Sequence, residues 1–146
     1  MLRQLLPLVL TPCIVLAAEP QQSPKLVGEN DAKQLIEKAL TNFVSERYKE
    51  GFEDLAPYWK LPKNEIDMLL MQTISQRSTV KPRYGSSLGF EMISKNSAGS
   101  SFLKFVYIEK LQNTAVRYTF VFYRPKDSWE LQAMLWDDKI NLLFCE

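Results

Sequence analysis

Apolar residues near the start of the chain recur at the spacing of an α-helix. Between Asp31 and Val44 they fall three or four positions apart, which places them along one side of a helix with about 3.6 residues per turn. Gly51 follows this segment, and because glycine commonly ends helices, it is the predicted stop. The predicted buried stripe consists of Ala32, Leu35, Ile36, Ala39, Leu40, Phe43 and Val44.

Two more helical segments are predicted before the pattern changes. The stretch FEDLAPYW, from Phe52 to Trp59, predicts a short helical turn closed at Pro57. Pro62 then opens another helix, since proline is tolerated in the first turn. This helix is expected to fade by Ser78. Its apolar positions are Ile66, Leu69, Leu70 and Ile74.

From Leu88 onward the apolar residues alternate with polar ones, which is the period of a β-strand. Turns are predicted at Gln112-Asn113 and at Pro125–Ser128. Helices followed by an antiparallel meander predict an α+β domain whose N-terminal helices pack on one face of a curved sheet. The predicted strands are Leu88–Ser94, Phe102–Leu111, Ala115–Arg124, Trp129–Trp136 and a short last one at Ile140–Phe144.

The two turns fix which side chains share a face of the sheet. A slip of one residue would exchange the faces and bury charges, so one register is strongly favoured. On the inner face, Leu103, Phe105 and Tyr107 are predicted to lie opposite Phe122, Phe120 and Tyr118, which in turn lie opposite Leu131, Ala133 and Leu135. The outer face receives Lys104, Val106, Ile108, Lys110, Arg117, Thr119, Val121, Tyr123, Glu130, Gln132, Met134 and Trp136.

The acidic pair Asp137-Asp138 interrupts the last apolar stretch. Neighbouring residues on a strand point to opposite faces, so the two carboxylates are poorly placed to act on one substrate atom. Aspartate is also favoured in turns, where its side chain bonds to nearby backbone. We therefore predict a bend at this pair and assign no catalytic residue.

The N-terminal stretch MLRQLLPLVLTPCIVLAA has the layout of a secretory signal peptide. Arg3 precedes an apolar run, and the run ends in the small pair Ala17-Ala18. We predict cleavage near Ala18, a flexible leader at 19–29 and a single domain at 30–146. The mature protein is expected to be periplasmic or secreted, with no stable membrane span.

Composition excludes several classes of chemistry. Lys and Arg total 18 and Asp and Glu total 17, so loss of Arg3 balances the charge and gives no reason to expect a nucleic-acid partner. Histidine is absent, which removes Ser–His and Cys–His pairs and histidine-ligated metal sites. No phosphate-binding or dinucleotide motif is present, and no metal or cofactor is expected. Cys145, the one cysteine left after cleavage, is expected to be a small buried residue.

Two regions are candidate sites. The first is a cavity between helices and sheet, with a close-packed core as the alternative; its candidate ligand-binding residues are Tyr107, Tyr118, Phe120 and Ala133. The second is the outer sheet face, where aromatic and arginine side chains favour a homodimer interface over a solvated surface, with Trp136 stacked on Arg117. The candidate interface residues are Val106, Ile108, Arg117, Val121, Tyr123, Met134 and Trp136. The basic stretch from Arg77 to Arg83 is predicted to be a solvated loop, with anion binding as its alternative.

The order of elements resembles the superfamily of cystatin-like and nuclear-transport-factor-like (NTF2-like) folds. In particular, EDLAPYWKLPKNEIDMLLMQT, RYGSSLGFE and FVFYRPKDSWELQAMLWDD resemble small exported bacterial proteins of uncharacterised function in that superfamily. The resemblance implies a helix-covered cone with a pocket at its open end, and dimers through the outer sheet face. Its enzymes use Asp, Tyr or His in the pocket, and only Tyr107 and Tyr118 carry over, as generic cavity residues.

Three functions follow as hypotheses. The main one is an exported, non-enzymatic and dimeric module that binds a small apolar ligand or an envelope protein. The alternatives are a cofactor-free enzyme of the isomerase or hydrolase type with a tyrosine acid, and a purely structural protein-interaction domain. A buried carboxylate near Tyr118 in an inner cavity would favour the enzyme, and an open apolar cavity without one would favour ligand binding. A filled core with a large exposed sheet patch would favour protein interaction.

Overall fold

The computed structural model describes residues 24–144, in which helices precede an antiparallel sheet that does not close into a barrel. The predicted α+β fold, with helices packed against a curved sheet, is confirmed. The helices are α1 (Glu29–Val44), α2 (Tyr48–Leu55) and α3 (Lys63–Tyr84), with a 3₁₀ turn (Ala56–Tyr58) after α2. The strands are β1 (Ser87–Ala98), β2 (Phe102–Leu111), β3 (Ala115–Tyr123) and β4 (Glu130–Asp137), in the spatial order β1-β2-β3-β4.

The predicted signal peptide, its cleavage site, residues 19–23 of the leader and Cys145 lie outside the described residues. The last part of the leader packs on the domain, because Leu26 is only 4% exposed. Its carbonyl accepts a hydrogen bond from the Trp129 amide at 2.7 Å. The packed structure therefore starts before residue 30. Within residues 24–144, no helix combines the length and the apolar character needed to cross a membrane.

Gly51 does not act as a helix stop, as the sequence pattern predicts, but lies inside α2. A β-carbon at this position would overlap the ring of Phe43 and lie 3.1 Å from the carbonyl oxygen of Ala39, both in α1. Glycine is therefore required by the close approach of two helices. The rest of the α1 prediction is confirmed: of its seven stripe residues, all but Val44 are buried.

Helix α3 is longer than predicted and continues past Ser78 to Tyr84. The stretch Arg77 to Arg83 is therefore helical rather than a loop. The side of α3 that faces the domain buries Ile66, Thr73, Arg77 and Tyr84, at helical spacing. Because half of these residues carry strongly polar groups, the apolar pattern fades before the helix ends.

The predicted pairing of β2 with β3 is confirmed. Leu103 lies opposite Phe122, Phe105 opposite Phe120 and Tyr107 opposite Tyr118. These six side chains form the centre of the core and are no more than 1% exposed. Helix α1 covers them, and its Phe43 ring stacks on Tyr118 with 5.7 Å between centroids.

Strand β4 departs from the predicted register at a β-bulge. Phe122 pairs with Leu131 as expected, but Val121 pairs with Ala133, which leaves Gln132 as the extra residue. Beyond the bulge, the inner-face residues Phe120 and Tyr118 of β3 pair with Met134 and Trp136. The predicted faces of four residues are thus reversed: Met134 and Trp136 point inward, and Ala133 and Leu135 point outward.

The free edge of β4 has two short pairings. Leu26 forms an isolated antiparallel bridge to Trp129, and Trp59 forms an isolated parallel bridge to Leu131. Both segments come from regions that precede α1 and α3 in the chain. The start of this edge, at Trp129 and Leu131, is therefore covered by backbone from elsewhere in the domain.

The predicted bend at Asp137-Asp138 is confirmed, but the predicted last strand is a 3₁₀ helix over Ile140–Phe144. The Lys139 amide donates to Asp137 Oδ1 at 3.0 Å, and the Ile140 amide donates to the Asp138 carbonyl at 2.9 Å. These local bonds use the backbone groups at the start of the segment that a sheet ladder would need. The Tyr84 hydroxyl also donates to Asp138 Oδ2 at 2.6 Å, which ties the bend to the end of α3.

Candidate functional site

The predicted inner cavity is filled by packed aromatic side chains. Tyr118 and Phe120 stack with 6.4 Å between ring centroids, and Tyr107 packs edge-on against Phe120. Ala133 is on the outer face because of the bulge. None of these four residues lines the cavity described below, so the structure does not bring them together around it.

A cavity of about 390 Å³ opens beside the aromatic core, between the start of α2, the C-terminal half of α3 and the end of β2. This volume lies within the range of about 300–1,000 Å³ that is usual for small-molecule sites. Ile74, Val80 and Leu111 supply apolar wall. The charged lining residues are Glu46, Arg47, Lys49, Glu50, Arg77, Lys81 and Glu109, and the neutral polar ones include Tyr48, Ser78, Tyr84 and Ser87.

A buried ion pair between Arg77 of α3 and Glu109 of β2 forms part of the cavity wall. Arg77 Nη2 donates to Glu109 Oε1 at 2.9 Å and to Oε2 at 2.8 Å. The two side chains are 8% and 1% exposed. The helical repeat directs Arg77 toward the sheet, and strand alternation places Glu109 on the same inner face as Tyr107.

Aromatic residues surround the ion pair and bond to both of its members. Arg77 Nε donates to the Tyr48 hydroxyl at 3.1 Å, and the Tyr118 hydroxyl donates to Glu109 Oε2 at 3.3 Å. The guanidinium carbon of Arg77 lies 5.6 Å from the ring centroid of Trp136 and 5.9 Å from that of Tyr48. Trp136 Nε1 donates in turn to Thr73 Oγ1 at 3.2 Å. Trp136 therefore stacks on an arginine, but on Arg77 rather than the predicted Arg117.

Burial governs the protonation of this cluster. It raises the pKa of Glu109, and the charge of Arg77 offsets part of that effect. Burial also raises the pKa of Tyr48, and raises the pKa of Tyr118 well above its ordinary value. The Tyr107 hydroxyl lies apart from the cluster and donates to Glu37 at 3.3 Å; burial raises its pKa as well. At neutral pH these tyrosines keep their protons and act as hydrogen-bonding groups.

One nitrogen of Arg77 has no hydrogen-bond acceptor. Nη1 is buried, and no described atom accepts a bond from it. The guanidinium has five N–H donors. Tyr48 occupies Nε and Glu109 occupies Nη2, so both N–H groups of Nη1 are unused.

Most of the predicted interface residues keep their place on the outer sheet face. Val106, Ile108, Arg117, Val121 and Tyr123 all have the expected parity. Arg117 donates through Nε and Nη2 to the carboxylate of Asp137 at 3.1 and 2.7 Å. Met134 and Trp136 face inward, so their assignment to the interface is wrong. Leu135, which is 61% exposed, occupies the outer position instead.

Comparison of the chain with protein-family models, with curated proteins and with solved structures finds no match. The site is therefore interpreted from its own geometry. Within the part of the chain that the structure describes, no group of three or more acidic or cysteine side chains is arranged to hold a metal ion.

Sequence reasoning missed the Arg77–Glu109 pair because it followed only apolar residues. Glu109 comes two positions after Tyr107, so the same alternation that buries Tyr107 also directs Glu109 inward. Arg77 continues the stripe of α3, three and four positions after Ile74 and Thr73. Extending both periodicities through polar positions would have brought the two charges to the same side of the core.

Proposed function

We propose that the protein is an exported, non-enzymatic binding module that holds a small molecule in the cavity between α2, α3 and β2. The cavity itself carries the proposal, because it is open to solvent, has a volume of about 390 Å³ and combines apolar walls with a buried ion pair. Small-molecule sites typically pair apolar lining with a few polar groups that fix orientation. Export rests on the signal peptide predicted at residues 1–18.

The ion pair supports a role beyond stability. Taking two charges out of water costs several kcal/mol per ion, and their mutual attraction offsets about the same amount. Apolar residues of similar volume often stabilise a protein equally well. Departures from the rule that charges stay in water tend to occur at functional sites. The position of Arg77 and Glu109 on a cavity wall fits this pattern.

The enzyme hypothesis gains one observation, since a buried carboxylate does lie beside Tyr118 and next to a cavity. A general base must lie within hydrogen-bond reach, about 3 Å between heavy atoms, of the group whose proton it removes. Both oxygens of Glu109 already accept bonds from Arg77. Tyr118 is 1% exposed and directs its proton to Glu109, so it is not placed to act as an acid on a ligand. The geometry supports binding better than catalysis.

The outer sheet face supports a second proposal, a homodimer. Leu135 and Phe102 are 61% and 43% exposed on this face. The Phe102 ring stacks on Tyr123 with 4.9 Å between centroids, and Val121 lies next to them in the sheet. Exposed aromatic and aliphatic side chains at the centre of a patch are typical of subunit interfaces.

Native mass spectrometry of the mature protein, purified from its own host, tests the binding proposal. We expect a retained small-molecule adduct. Ile74→Trp should abolish the adduct, because Ile74 lines the cavity and a larger side chain would fill it. Met68→Trp is the matched control, since Met68 is an exposed residue of the same helix outside the cavity lining. An adduct that survives Ile74→Trp, or the absence of any adduct from wild type, would count against the proposal.

A further inference from the structure

We infer that the cavity takes an amphipathic organic anion, whose head group accepts hydrogen bonds from Nη1 of Arg77 and whose apolar body lies against Ile74, Val80 and Leu111. This inference rests on the proposed binding function and adds the chemical class of the ligand. It also assigns a specific role to Nη1 of Arg77, which with Ser87 Oγ is one of two buried polar atoms of the lining residues that have no hydrogen-bond partner among the described residues.

Nη1 of Arg77 carries two N–H donors that are unused among the described residues. A buried charged donor without an acceptor is unfavourable, because it has lost its bonds to water and gained none in the protein. Within the guanidinium, Tyr48 and Glu109 satisfy the other two nitrogens. A ligand oxygen is the group that would satisfy Nη1, and carboxylate and phosphate oxygens suit arginine best.

Charged side chains of both signs surround the cavity. The lining contains four cationic side chains and three carboxylates, so it has an excess of one positive charge. Lys81 pairs with Glu46 at 2.6 Å, and Arg77 pairs with Glu109. Arg47 bonds through Nε to the neutral amide oxygen of Asn42 at 3.1 Å, which leaves its charge without compensation from that contact. Lys49 pairs with Glu53, which lies outside the lining, at 3.7 Å, so the cationic and acidic side chains around the cavity are equal in number. The unused N–H groups of Arg77 therefore decide the preference for an anion over a cation.

The apolar part of the cavity wall would contact the body of the ligand. Ile74, Val80 and Leu111 form an apolar part of the wall. A free inorganic anion would leave these side chains against water, whereas a hydrocarbon group attached to the anion would cover them. The walls therefore favour an anion with an apolar body.

The head group reaches Nη1 only if a neighbouring side chain moves, because Nη1 is shielded from solvent. Tyr48 is well placed to move. It is only partly buried, its ring lies against the guanidinium, and it forms part of the cavity wall. Rotation of Tyr48 would break its bond to Nε and expose that side of the guanidinium to the cavity, while Glu109 keeps its bonds to Nη2.

Isothermal titration calorimetry of the mature protein with four eight-carbon probes measures the affinities that test the inference. Octanoate and octyl phosphate carry anionic head groups, octanol a neutral one and octylamine a cationic one. We expect at least one anion to bind about tenfold or more tightly than octanol, the value of one charge-assisted hydrogen bond, and octylamine to bind most weakly. The two anions distinguish a carboxylate site from a phosphate site.

The remaining outcomes of the titration would each refute a different part of the proposal. Equal affinity for octanol and both anions would refute the anionic head group but leave the cavity as a binding site. No binding of any probe would refute the amphipathic-anion class. If wild type also carried no adduct from its host, the proposed function would fail with it.

A variant and a wild-type measurement locate the head group. Arg77→Met with Glu109→Gln removes both charges, and we expect the preference for the anion over octanol to disappear, whereas Lys104→Gln on the outer face should retain it. Because the double variant could fail to fold, the Arg77 Nε–Hε resonance of ¹⁵N-labelled wild type gives an independent test. It should shift on addition of the anion and not of octanol; no shift with the anion, or equal shifts with both, would overturn the assignment.

Discussion

Arg77 and Glu109 are two buried charges that each depend on the other. If one is removed, the other remains unpaired in a medium of low dielectric constant, which is costly. If both are replaced by apolar side chains of similar volume, no charge is left to desolvate. The stability of the domain should therefore respond very differently to one substitution and to two.

We expect Arg77→Met alone to lower the free energy of unfolding by about 3–5 kcal/mol, because it leaves the Glu109 carboxylate without its counter-ion. Arg77→Met combined with Glu109→Leu should cost much less than either single change. Urea denaturation of the two single variants and the double variant measures this. Costs that simply add would show that the two charges do not depend on each other.

The contribution of Asp137 to the free energy of unfolding should depend on pH, with a sign opposite to that of Glu109. Hydrogen bonds from Arg117 hold the pKa of Asp137 below its usual 3.8. A group whose pKa is lower in the folded state stabilises the fold above its unfolded pKa, and this contribution is lost as the pH falls through the folded value. Asp137→Asn should therefore lower the free energy of unfolding by about 1 kcal/mol at neutral pH, the value of one typical hydrogen bond.

The same substitution should have a smaller effect at acid pH than at neutral pH, because protonation of the wild-type carboxyl removes this contribution as the pH falls through the folded pKa. Urea denaturation of wild type and variant at the two pH values gives the comparison. An equal difference at both would mean that the Arg117–Asp137 contact is not electrostatic in origin.

At the scale of elements, the bulge in β4 decides which residues face the core. Gln132 and Ala133 together oppose Val121, so the strand holds one residue more than a regular ladder needs. If Gln132 were absent, Leu131, Ala133 and Met134 would alternate regularly and keep their present partners. Loss of Gln132 would therefore change the local twist and leave the residues beyond the bulge on their present faces.

Deletion of Gln132 should therefore leave a domain that unfolds cooperatively and keeps the near-ultraviolet circular dichroism of Trp136 stacked on Arg77. Deletion of Thr119 is the matched control, because β3 has no bulge between Arg117 and Val121 and loss of one residue there would reverse the faces of its neighbours. We expect the control to lose cooperative unfolding. Similar behaviour of the two deletions would contradict the assigned register.

Gly51 marks the closest approach of α2 to α1. Gly51→Ala would gain helix propensity of up to about 1 kcal/mol, but its methyl group would overlap the buried Phe43 ring. Overpacking of a core typically costs about 1–3 kcal/mol, so we expect net destabilisation. Thermal unfolding measures it. Combining Gly51→Ala with Phe43→Leu should recover part of the loss, and a failure to do so would place the strain elsewhere.

The elements themselves could be predicted because periodicity reports which side of a helix or strand is buried. The bulge could not, since Leu131, Met134, Leu135 and Trp136 are apolar at both parities and the pattern permits either assignment. The cavity was missed for a related reason. Its distinctive side chains, Arg77 and Glu109, are charged residues at buried positions, and an apolar pattern treats such residues as breaks.

In the molecule as a whole, the cavity proposed to hold a small molecule and the outer sheet face proposed to bind a second chain are separate surfaces. Helices α2 and α3 form one side of the cavity, whereas the outer face belongs to the sheet alone. Changes on one surface should therefore leave the other intact. Dimer formation and ligand binding can be tested independently.

Leu135→Glu places a charge at the most exposed apolar position of the outer face among residues of β2–β4. We expect wild type to sediment as a dimer and the variant as a monomer, because burying an unpaired carboxylate in an interface is unfavourable. Gln132→Glu adds the same charge to β4 at a position that is already polar, and should remain dimeric. A wild type that is monomeric at high concentration would refute the homodimer.

The bridges from Leu26 and Trp59 have a consequence for assembly. An edge strand has unpaired backbone amides and carbonyls that can pair with a strand of another chain. Native proteins commonly cover such edges, which prevents aggregation. At Trp129, just before β4, and at Leu131, those groups are already engaged by the segments before α1 and α3. Strand addition by another chain is therefore blocked there. Truncation of the N-terminal segment past Leu26 would remove one of the two bridges that cover the edge.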